Sequence, residues 1–341
     1  MSEALPGQPP DEPRASCGAC PMVAPLEDPG APGMFHPATK CCASEPTLPN
    51  FLVGLIQSGP EIGAATMSAR LRAGAGVGPL GVESSRLGEL LRKSALPEAH
   101  GRAPEFRCPH YLDEGGGTCG VHRHRNALCS TWFCRHERGR VGQAFWLALR
   151  RLLEEVERDL ARWCALELDL GPEAVALLLE DQGSTPILLD EHDLGRGADP
   201  AHRARRWGRW AGREEAFYAA CADLVAGLDW AEVLARCGPG VRLAWSVVLE
   251  RWQTLSQRAL PEVLTLAPLQ VQGADPGGVL VGTYLRTDPL RLSPELLAAL
   301  ACFDGASSVQ QTLIRVEESL GLCLEPALLR RLYDFGVLDP A

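Results

Sequence analysis

The chain has 341 residues, a hydrophobic content of 46% and a formal net charge of −10. This composition supports packed globular domains and excludes general disorder, and the length suggests two or three domains. The negative charge argues against a general nucleic-acid binder, because phosphate binding needs surplus cations. No apolar run is long enough to span a bilayer, and no basic-then-apolar leader opens the chain. We therefore expect a cytoplasmic protein that does not enter a membrane.

The predicted elements begin with a proline-rich lead-in over residues 1–16, which we expect to be disordered. Residues 17–50 read as a cysteine-bearing loop, and short helices are predicted over 51–72. The clearest helix has apolar residues at steps of three and four across 146–163, and Gly171-Pro172 predicts its end. Further helices are predicted over 173–179, 203–226, 229–236 and 241–258, with a linker at 181–200.

The C-terminal part combines strand and helix patterns. VLTLAPLQVQ and GVLVGTYLR predict two strands of a hairpin, joined through residues 273–278. Ser293 followed by Pro294 predicts a helix start. Ser307 with Gln310 predicts a capping box for a second helix over 309–320, and a third helix is predicted from residue 326 to near 336. Three short helices after a hairpin resemble a winged-helix-like or PqqD-like module.

These patterns predict a mainly α protein with a loop-rich metal-binding region and a small α/β winged-helix-like C-terminal module. The predicted domains are the lead-in (1–16), a cysteine-cluster metal-binding domain (17–140), a helical domain (141–260) and the winged-helix-like or PqqD-like domain (261–341).

Thirteen cysteines is a high number for a reducing compartment. Because the number is odd and no export signal is visible, metal binding or redox chemistry is favoured over a disulfide framework. Five cysteines lie singly in helical, apolar segments, where we expect core residues. These five are Cys164, Cys221, Cys237, Cys302 and Cys323.

The other eight cysteines fall into two groups in segments rich in proline, glycine and charge. The groups are Cys17, Cys20, Cys41 and Cys42, and then Cys108, Cys119, Cys129 and Cys134. Such loops bury too little carbon to hold one conformation, whereas thiolates that share zinc or an iron–sulfur cluster can hold them. The adjacent pair Cys41-Cys42 can supply one ligand to each of two sites, or one ligand and one reactive thiol. His136 is a further candidate ligand, because neutral imidazole binds zinc well.

The second group carries a resemblance to a known family. CPHYLDEGGGTCGVHRHRNALCSTWFC, residues 108–134, resembles the YkgJ-type cysteine-cluster family of zinc- or iron-chelating CxxCxxCC proteins. The family pattern C-x-[IV]-[YH]-x-x-R-P-x-x-C is matched in register by Cys119, Val121, His122, Arg125 and Cys129, with Asn126 in place of proline.

The family also begins with closely spaced cysteines and a CC pair. Here the two parts, Cys17/Cys20 and Cys41/Cys42, are twenty residues apart instead of two. The resemblance extends over about residues 17–140 and implies metal chelation without a defined chemistry.

Three functions are compatible with these observations. The first is a metal-binding protein whose cluster is structural or serves storage, sensing or delivery. The second is a cluster-dependent protein-modifying enzyme, since flagellin lysine methylases resemble the same family. The third is a metal- or redox-sensing adaptor whose C-terminal module binds a protein or peptide partner. No catalytic motif such as HExxH, GxSxG or a Walker lysine occurs. Metal identity and oligomeric state stay open.

Overall fold

The computed structural model describes residues 4–9, 11–12, 20, 22–24, 34–43, 45–60, 62–74, 76–84, 88, 90–91, 101–114, 117–180 and 200–341. The predicted linker at 181–200 lies outside the described residues except for its last position. About half of the chain is helical and the sheets are small and antiparallel, so the prediction of a mainly α fold with small sheets is confirmed. Within these described ranges, no helix is both long enough and apolar enough to cross a bilayer.

The helices of the first 260 residues surround the cysteine-bearing loops. α1 (Asn50–Ser58) and α2 (Gly63–Ala73) follow the first cysteine group. The single turn α3 (Ala127–Ser130) carries Cys129, and the long helix α4 (Gly139–Glu167) begins five residues after Cys134. The remaining helices of this part are α5 (Pro172–Glu180), α6 (Pro200–Trp207), α7 (Glu214–Val225), α8 (Trp230–Arg236) and α9 (Pro239–Ser256).

The strands of this part are short. β1 (Leu48–Pro49), β2 (Val77–Gly78) and β3 (Gly81–Val82) form a three-stranded sheet with β3 in the middle. β4 (Tyr111–Leu112) and β5 (Thr118–Cys119) form a hairpin in which Tyr111 lies opposite Cys119. The hairpin therefore brings Cys119 back beside the segment that begins at Cys108.

One hydrophobic core joins the helices to the cysteine-bearing part of the chain. α1 packs against α7 and α4 packs along α9. Trp146, Leu149 and Leu160 of α4, which belong to the predicted apolar pattern, are buried. Val121, between two of the candidate ligands, belongs to the same core. The predicted cysteine-cluster and helical domains thus share buried side chains.

The C-terminal module, residues 263–341, has its own core around Leu264, Val316 and Leu332. Its strands are β6 (Val263–Leu266), β7 (Gln270–Asp275), β8 (Gly278–Gly282), β9 (Leu290–Leu292), β10 (Asp304–Ser308) and β11 (Leu338–Pro340). They form two antiparallel sheets with the orders β10-β6-β11 and β7-β8-β9. Its helices are α10 (Pro294–Leu300), α11 (Val309–Leu320) and α12 (Pro326–Asp334).

The predicted single helix over 203–226 is wrong, because two glycines interrupt it. Gly208 and Gly212 have φ angles of +49° and +77°, which end α6 and start a new direction before α7. A Cβ atom on Gly208 would lie 1.8 Å from the carbonyl oxygen of Leu170. The break therefore also allows a close backbone contact that only glycine permits.

The predicted strand VLTLAPLQVQ is in fact two strands in different sheets. β6 pairs with β10 and β11, whereas β7 pairs with β8 as the predicted hairpin. The chain leaves the first sheet at Ala267, whose N–H donates to the carbonyl of Val337 at 3.0 Å. Pro268 follows, and proline has no N–H to continue a ladder.

The helices of the C-terminal module begin near the predicted N-cap residues, and one N-cap is shifted by one residue. Ser293 caps α10, since its Oγ accepts from the N–H of Leu296 at 3.2 Å. The predicted capping box of Ser307 with Gln310 is wrong by one residue: Ser308 and Gln311 form it. Ser307 is still in β10, and its N–H is already bound by Asp304.

The described part of the proline-rich lead-in differs from the expected disorder. Leu5 is buried in the main core, and the carbonyl of Ala4 accepts from the indole N–H of Trp245 at 2.7 Å. Glu12 is buried and accepts from the indole of Trp146 at 2.6 Å. Buried indole groups need acceptors, and this segment supplies them.

Gly54 sets the closest helix contact of the main core. A Cβ atom there would lie 2.0 Å from the carbonyl oxygen of Tyr218 in α7. Gly54→Ala should therefore push the helices apart and lower the free energy of unfolding by about 2–4 kcal/mol, measured by urea denaturation. Gly240→Ala in α9 is the matched control, because its Cβ would meet only the flexible Glu155 carboxylate. Equal stability of both variants would contradict this packing.

Candidate metal centre

The two cysteine-bearing stretches are held side by side by main-chain hydrogen bonds. The N–H of Cys108 donates to the carbonyl of Cys42 at 2.9 Å, which joins positions 66 residues apart. The N–H of Gly63 donates to Gly120 at 2.9 Å, and that of Gly120 donates to His110 at 2.8 Å. The segments around Cys42 and Gly63 are thus hydrogen-bonded to the segment that contains Cys108, His110 and Gly120.

Four thiols of this unit lie within electrostatic reach of one another: Cys42, Cys108, Cys119 and Cys129, which we call the tetrad. Cys42 interacts with Cys108 and Cys119, and Cys108 interacts with Cys119 and Cys129. Cys129 also interacts with Cys119. One member comes from the first cysteine group and three from the second, so the structure combines the two predicted groups.

Three tetrad thiols, Cys42, Cys108 and Cys129, have raised pKa values. Burial, followed by the charges of neighbouring thiols, raises the pKa of Cys108 to about 12 and that of Cys129 to about 11. The pKa of Cys42 is also raised, first because its thiol donates to Cys41 and second because it is buried. A nearby cation would favour the thiolate forms.

A second set of thiols, those of Cys20, Cys41 and Cys134, lies next to the tetrad. Cys41 interacts with Cys20, and the thiol of Cys134 hydrogen-bonds the sulfur of Cys20. The hydrogen bond from Cys134, together with the N–H groups of Met22 and Val23, lowers the pKa of Cys20 to about 6. The hydrogen bond from Cys42 lowers the pKa of Cys41 to about 7, and Cys41 is the exposed member of the set.

Three cationic side chains face these thiols. Lys40 acts on Cys20, Arg70 on Cys108, and Arg125 on both Cys41 and Cys129. Arg70 is also paired with Glu45 and donates to the carbonyl of Glu83. Cationic groups so close to sulfur stabilise thiolates relative to thiols.

Asn126 fixes the turn that carries Cys129. Its side chain caps α3 by accepting from the N–H of Cys129 at 3.0 Å, and it donates to the carbonyl of Thr47 at 3.0 Å. Asn126 therefore ties the Cys129 turn to the segment that follows Cys42.

Glu157 of α4 supports the same turn from the other side. Its carboxylate accepts from the N–H of Ala127, the first residue of α3, at 2.6 Å. Burial raises the pKa of Glu157 to about 8, and its charge acts on Cys129. Glu157 thereby links the long helix to the turn that carries Cys129.

His136 lies at the contact with the C-terminal module. Its ring packs against Phe133 and Tyr284, with centroids 6.2 Å and 5.6 Å away. Its main-chain N–H donates to the Tyr284 hydroxyl at 2.8 Å, and burial lowers the pKa of its ring to about 4. The ring Nδ1 has no hydrogen-bond partner among the described residues, and no described contact joins it to a thiol.

The residues after Cys134 connect to the C-terminal module through a contact region that we call the joint (residues 134–140). Arg135 lies 3.6 Å from Asp288, and Arg140 lies 2.5 Å from Asp339. Arg138 pairs with the buried Asp334, which also binds Arg330 at 3.2 Å. Cys134, the last cysteine of the second group, is therefore the first residue of the joint.

Other sequence predictions have mixed outcomes. The sequence pairs Trp132 with Phe133 between two cysteines, which predicts packing against the helix of Trp146; Phe133 does pack on Trp146 with ring centroids 4.5 Å apart, but Trp132 is exposed. Among the single cysteines, Cys164, Cys221 and Cys237 are buried, as predicted, Cys302 is partly exposed, and Cys323 is exposed, which corrects its assignment to the core. Cys17 lies outside the described residues.

The sequence patterns do not indicate several residues that lie around the thiols or at the joint. Arg70, Glu157 and Tyr284 come from a helix before the second cysteine group, from the middle of α4 and from the C-terminal module. Each belongs to a segment with an ordinary helix or strand pattern, so no local signal marks it. Only the long-range contacts bring these side chains to the site.

The thiols are neighbours but do not form a closed coordination shell. Across the part of the chain that the structure describes, no three or more His, Cys, Asp or Glu side chains are arranged to hold an ion. Binding would therefore require the tetrad side chains to turn toward a common centre. Comparison with protein-family models, with curated proteins and with solved structures finds no match to this chain.

Asn126→Ala should loosen the Cys129 turn, because it removes the acceptor for the N–H of Cys129 and the donor to the carbonyl of Thr47. We expect a loss of about 1–3 kcal/mol in the free energy of unfolding, measured by denaturant titration. Asn126→Asp should recover part of this loss, since it keeps the cap. Ser130→Ala, in the same turn, removes only a local bond to Ala127 and is the control. A loss no larger than that of the control would contradict the assigned role.

The thiols should differ in reactivity once any bound metal is removed with a chelator. The lowered pKa of Cys41, about 7, means that its reactive thiolate is populated above neutral pH, whereas the raised pKa of Cys108 leaves that buried group protonated. Iodoacetamide at a pH of about 7.5 should modify Cys41 at least about tenfold faster than Cys108, read out by peptide mass spectrometry. The Cys41 rate should fall as the pH is lowered through about 7. Comparable rates at the two positions would be inconsistent with these environments.

Proposed function

We propose that this chain is a metal-binding protein that holds a soft cation, zinc or the iron of an iron–sulfur centre, through the thiolates of the tetrad. The observation that supports the proposal is that four thiols from two distant stretches of the chain lie within electrostatic reach of one another. The remaining predicted ligands are Cys17, Cys20, Cys41, Cys134 and His136. Of these, Cys41 adjoins the tetrad directly, and Cys20 and Cys134 continue from it.

The chemistry of the donors fits such an ion. Four sulfur donors select zinc or iron–sulfur clusters over hard cations such as magnesium or calcium. The sulfur of Cys108 accepts from the N–H of His110, a bond of the kind that stabilises a ligating thiolate. A divalent cation bound by four thiolates keeps net negative charge, and Arg70 and Arg125 are positioned to offset it.

The loops that carry the tetrad are held by few apolar side chains of their own. Bound metal would add folding free energy there; in small zinc-binding peptides this amounts to roughly 10–16 kcal/mol of apparent binding energy. Three members of the tetrad are partly exposed and Cys108 is buried, so a metal could enter from solvent. We therefore propose a structural or sensing role for the ion rather than a catalytic one.

Cys129→Ser and Cys119→Ser should each lower the metal content of anaerobically purified protein. Since ligation and folding are linked, the melting temperature should also fall, by about 10 °C or more. Elemental analysis and an absorption spectrum measure the first effect and distinguish colourless zinc from a coloured iron–sulfur centre. Cys323→Ser, exposed and in the C-terminal module, is the control. A chain that contains no metal, or variants that keep it, would refute the proposal.

The joint favours a second candidate function, a metal- or redox-sensing regulator. The C-terminal module, proposed as winged-helix-like and as the partner-binding part, contacts the residues that follow Cys134. A change at the thiols can therefore alter how the module is held, which is the requirement for a switch.

Chelation of the metal should raise amide hydrogen exchange in the joint and at residues 284–288. The reason is that loss of ligation frees the loop that leads into Cys134. Exchange in α11 (Val309–Leu320), which lies outside the joint, should stay unchanged and serves as the internal control. If the increase stops at residue 133, metal binding and module docking are independent and the regulatory function is excluded.

A further inference from the structure

The segment at the start of the chain packs against α9. We call its described residues, 4–9 and 11–12, the strap. At the first end of the strap, Leu5 is buried in the main core. The carbonyl of Ala4 accepts from the indole N–H of Trp245 in α9 at 2.7 Å. This end is therefore attached to the helical core.

The other end of the strap is Glu12, whose buried carboxylate joins two parts of the chain. One oxygen accepts from the indole N–H of Trp146 in α4 at 2.6 Å, and the other accepts from the main-chain N–H of Glu137 at 2.6 Å. Glu137 belongs to the joint. Because buried donors and acceptors are costly to leave unpaired, these two bonds hold the strap on the joint.

Two consecutive main-chain donors of the joint are bound by side chains from opposite ends of the chain. The N–H of His136 donates to the hydroxyl of Tyr284 in the C-terminal module at 2.8 Å, and the N–H of Glu137 donates to Glu12. The two acceptors lie 148 residues after and 125 residues before their donors. A shift of the backbone that breaks one bond therefore displaces the donor of the other.

The strap has fewer buried contacts than the module, so it is the part that can leave the joint. Leu5 is the one large aliphatic side chain in the sequence from 4 to 12. Gly7 lies close to Trp252, since a Cβ atom there would be 3.1 Å from the indole ring, but it has no side chain to bury. Terminal segments with few buried contacts open at a small cost in free energy.

We propose that the strap is a releasable clamp on the joint, which keeps the C-terminal module docked while it is bound and loosens the docking contact when it leaves. The coupling is reciprocal, because two groups that stabilise the same backbone conformation favour each other's binding. The clamp uses no thiol, so it operates whether or not the tetrad holds an ion.

The first test follows amide hydrogen exchange of the full-length protein by peptide mass spectrometry. Glu12→Ala removes both bonds of the carboxylate and should raise exchange at residues 284–288, on the module side of the joint, by about fivefold or more. Asp11→Ala removes the exposed neighbouring carboxylate and is the matched control, which should leave this exchange unchanged. Exchange in α11 should stay the same in both variants.

The second test examines the coupling from the module side. Tyr284→Phe keeps the ring and removes the hydroxyl, whose hydrogen bonds are to His136 and Asp288. It should release the strap and raise hydroxyl-radical labelling of the Leu5 side chain by at least about twofold. Leu264, buried in the core of the module, is the internal control and should keep its labelling.

Three outcomes would overturn the proposal. In the first, Glu12→Ala leaves exchange at residues 284–288 as it is. In the second, Tyr284→Phe loosens the joint but does not change the labelling of Leu5, so that the strap and the module bind independently. In the third, exchange in Glu12→Ala rises equally in the buried centre of α4, which would make Glu12 a general support of the core.

Discussion

The main-chain hydrogen bond between Cys108 and Cys42 is the contact on which the cysteine-bearing region depends. It joins two segments that are far apart in sequence, and the main-chain hydrogen bonds of Gly63 and Gly120 hold further residues together in the same region. Because these are backbone bonds, the position of the thiols does not rely on the side chains of the loops. The path of the chain therefore places the two cysteine-bearing stretches next to each other.

Electrostatics sets the character of the two groups of thiols. At Cys108 and Cys129, burial and the charges of neighbouring thiols raise the thiol pKa. At Cys20, the hydrogen bond from Cys134, main-chain donors and Lys40 lower it. Thiols with raised and with lowered pKa values therefore lie close together in this region.

The sequence predicts the parts of this arrangement that are local. The grouping of cysteines in polar loops indicates the candidate ligands, and the apolar spacing indicates α4. The cap at Ser293 follows from a short motif, whereas the capping box is misplaced because Ser307 is held by β10. The pairing of Cys20 with Cys134 has no sequence signal. It arises from contacts between distant parts of the chain, which composition and spacing do not encode.

Several features of the surrounding fold also depend on contacts between residues that are distant in sequence. Gly208 looks compatible with a continuous helix, and only the approach of Leu170 explains the break. Leu5 lies in a proline-rich start, yet it reaches a core built by later helices. Glu157 occupies a charged stretch of α4, and its role follows from the position of Ala127. In each case a distant partner decides the outcome.

The buried carboxylate of Asp334 has a consequence for how the molecule unfolds. It is shared by Arg138 of the joint and Arg330 of α12, so separating the C-terminal module would leave a buried charge with one partner fewer. Gly139 adds to this, since a Cβ there would lie 2.5 Å from the Asp334 carbonyl and its φ is +50°. The two hydrophobic cores are therefore coupled in one cooperative unit, and opening either one removes support from the other.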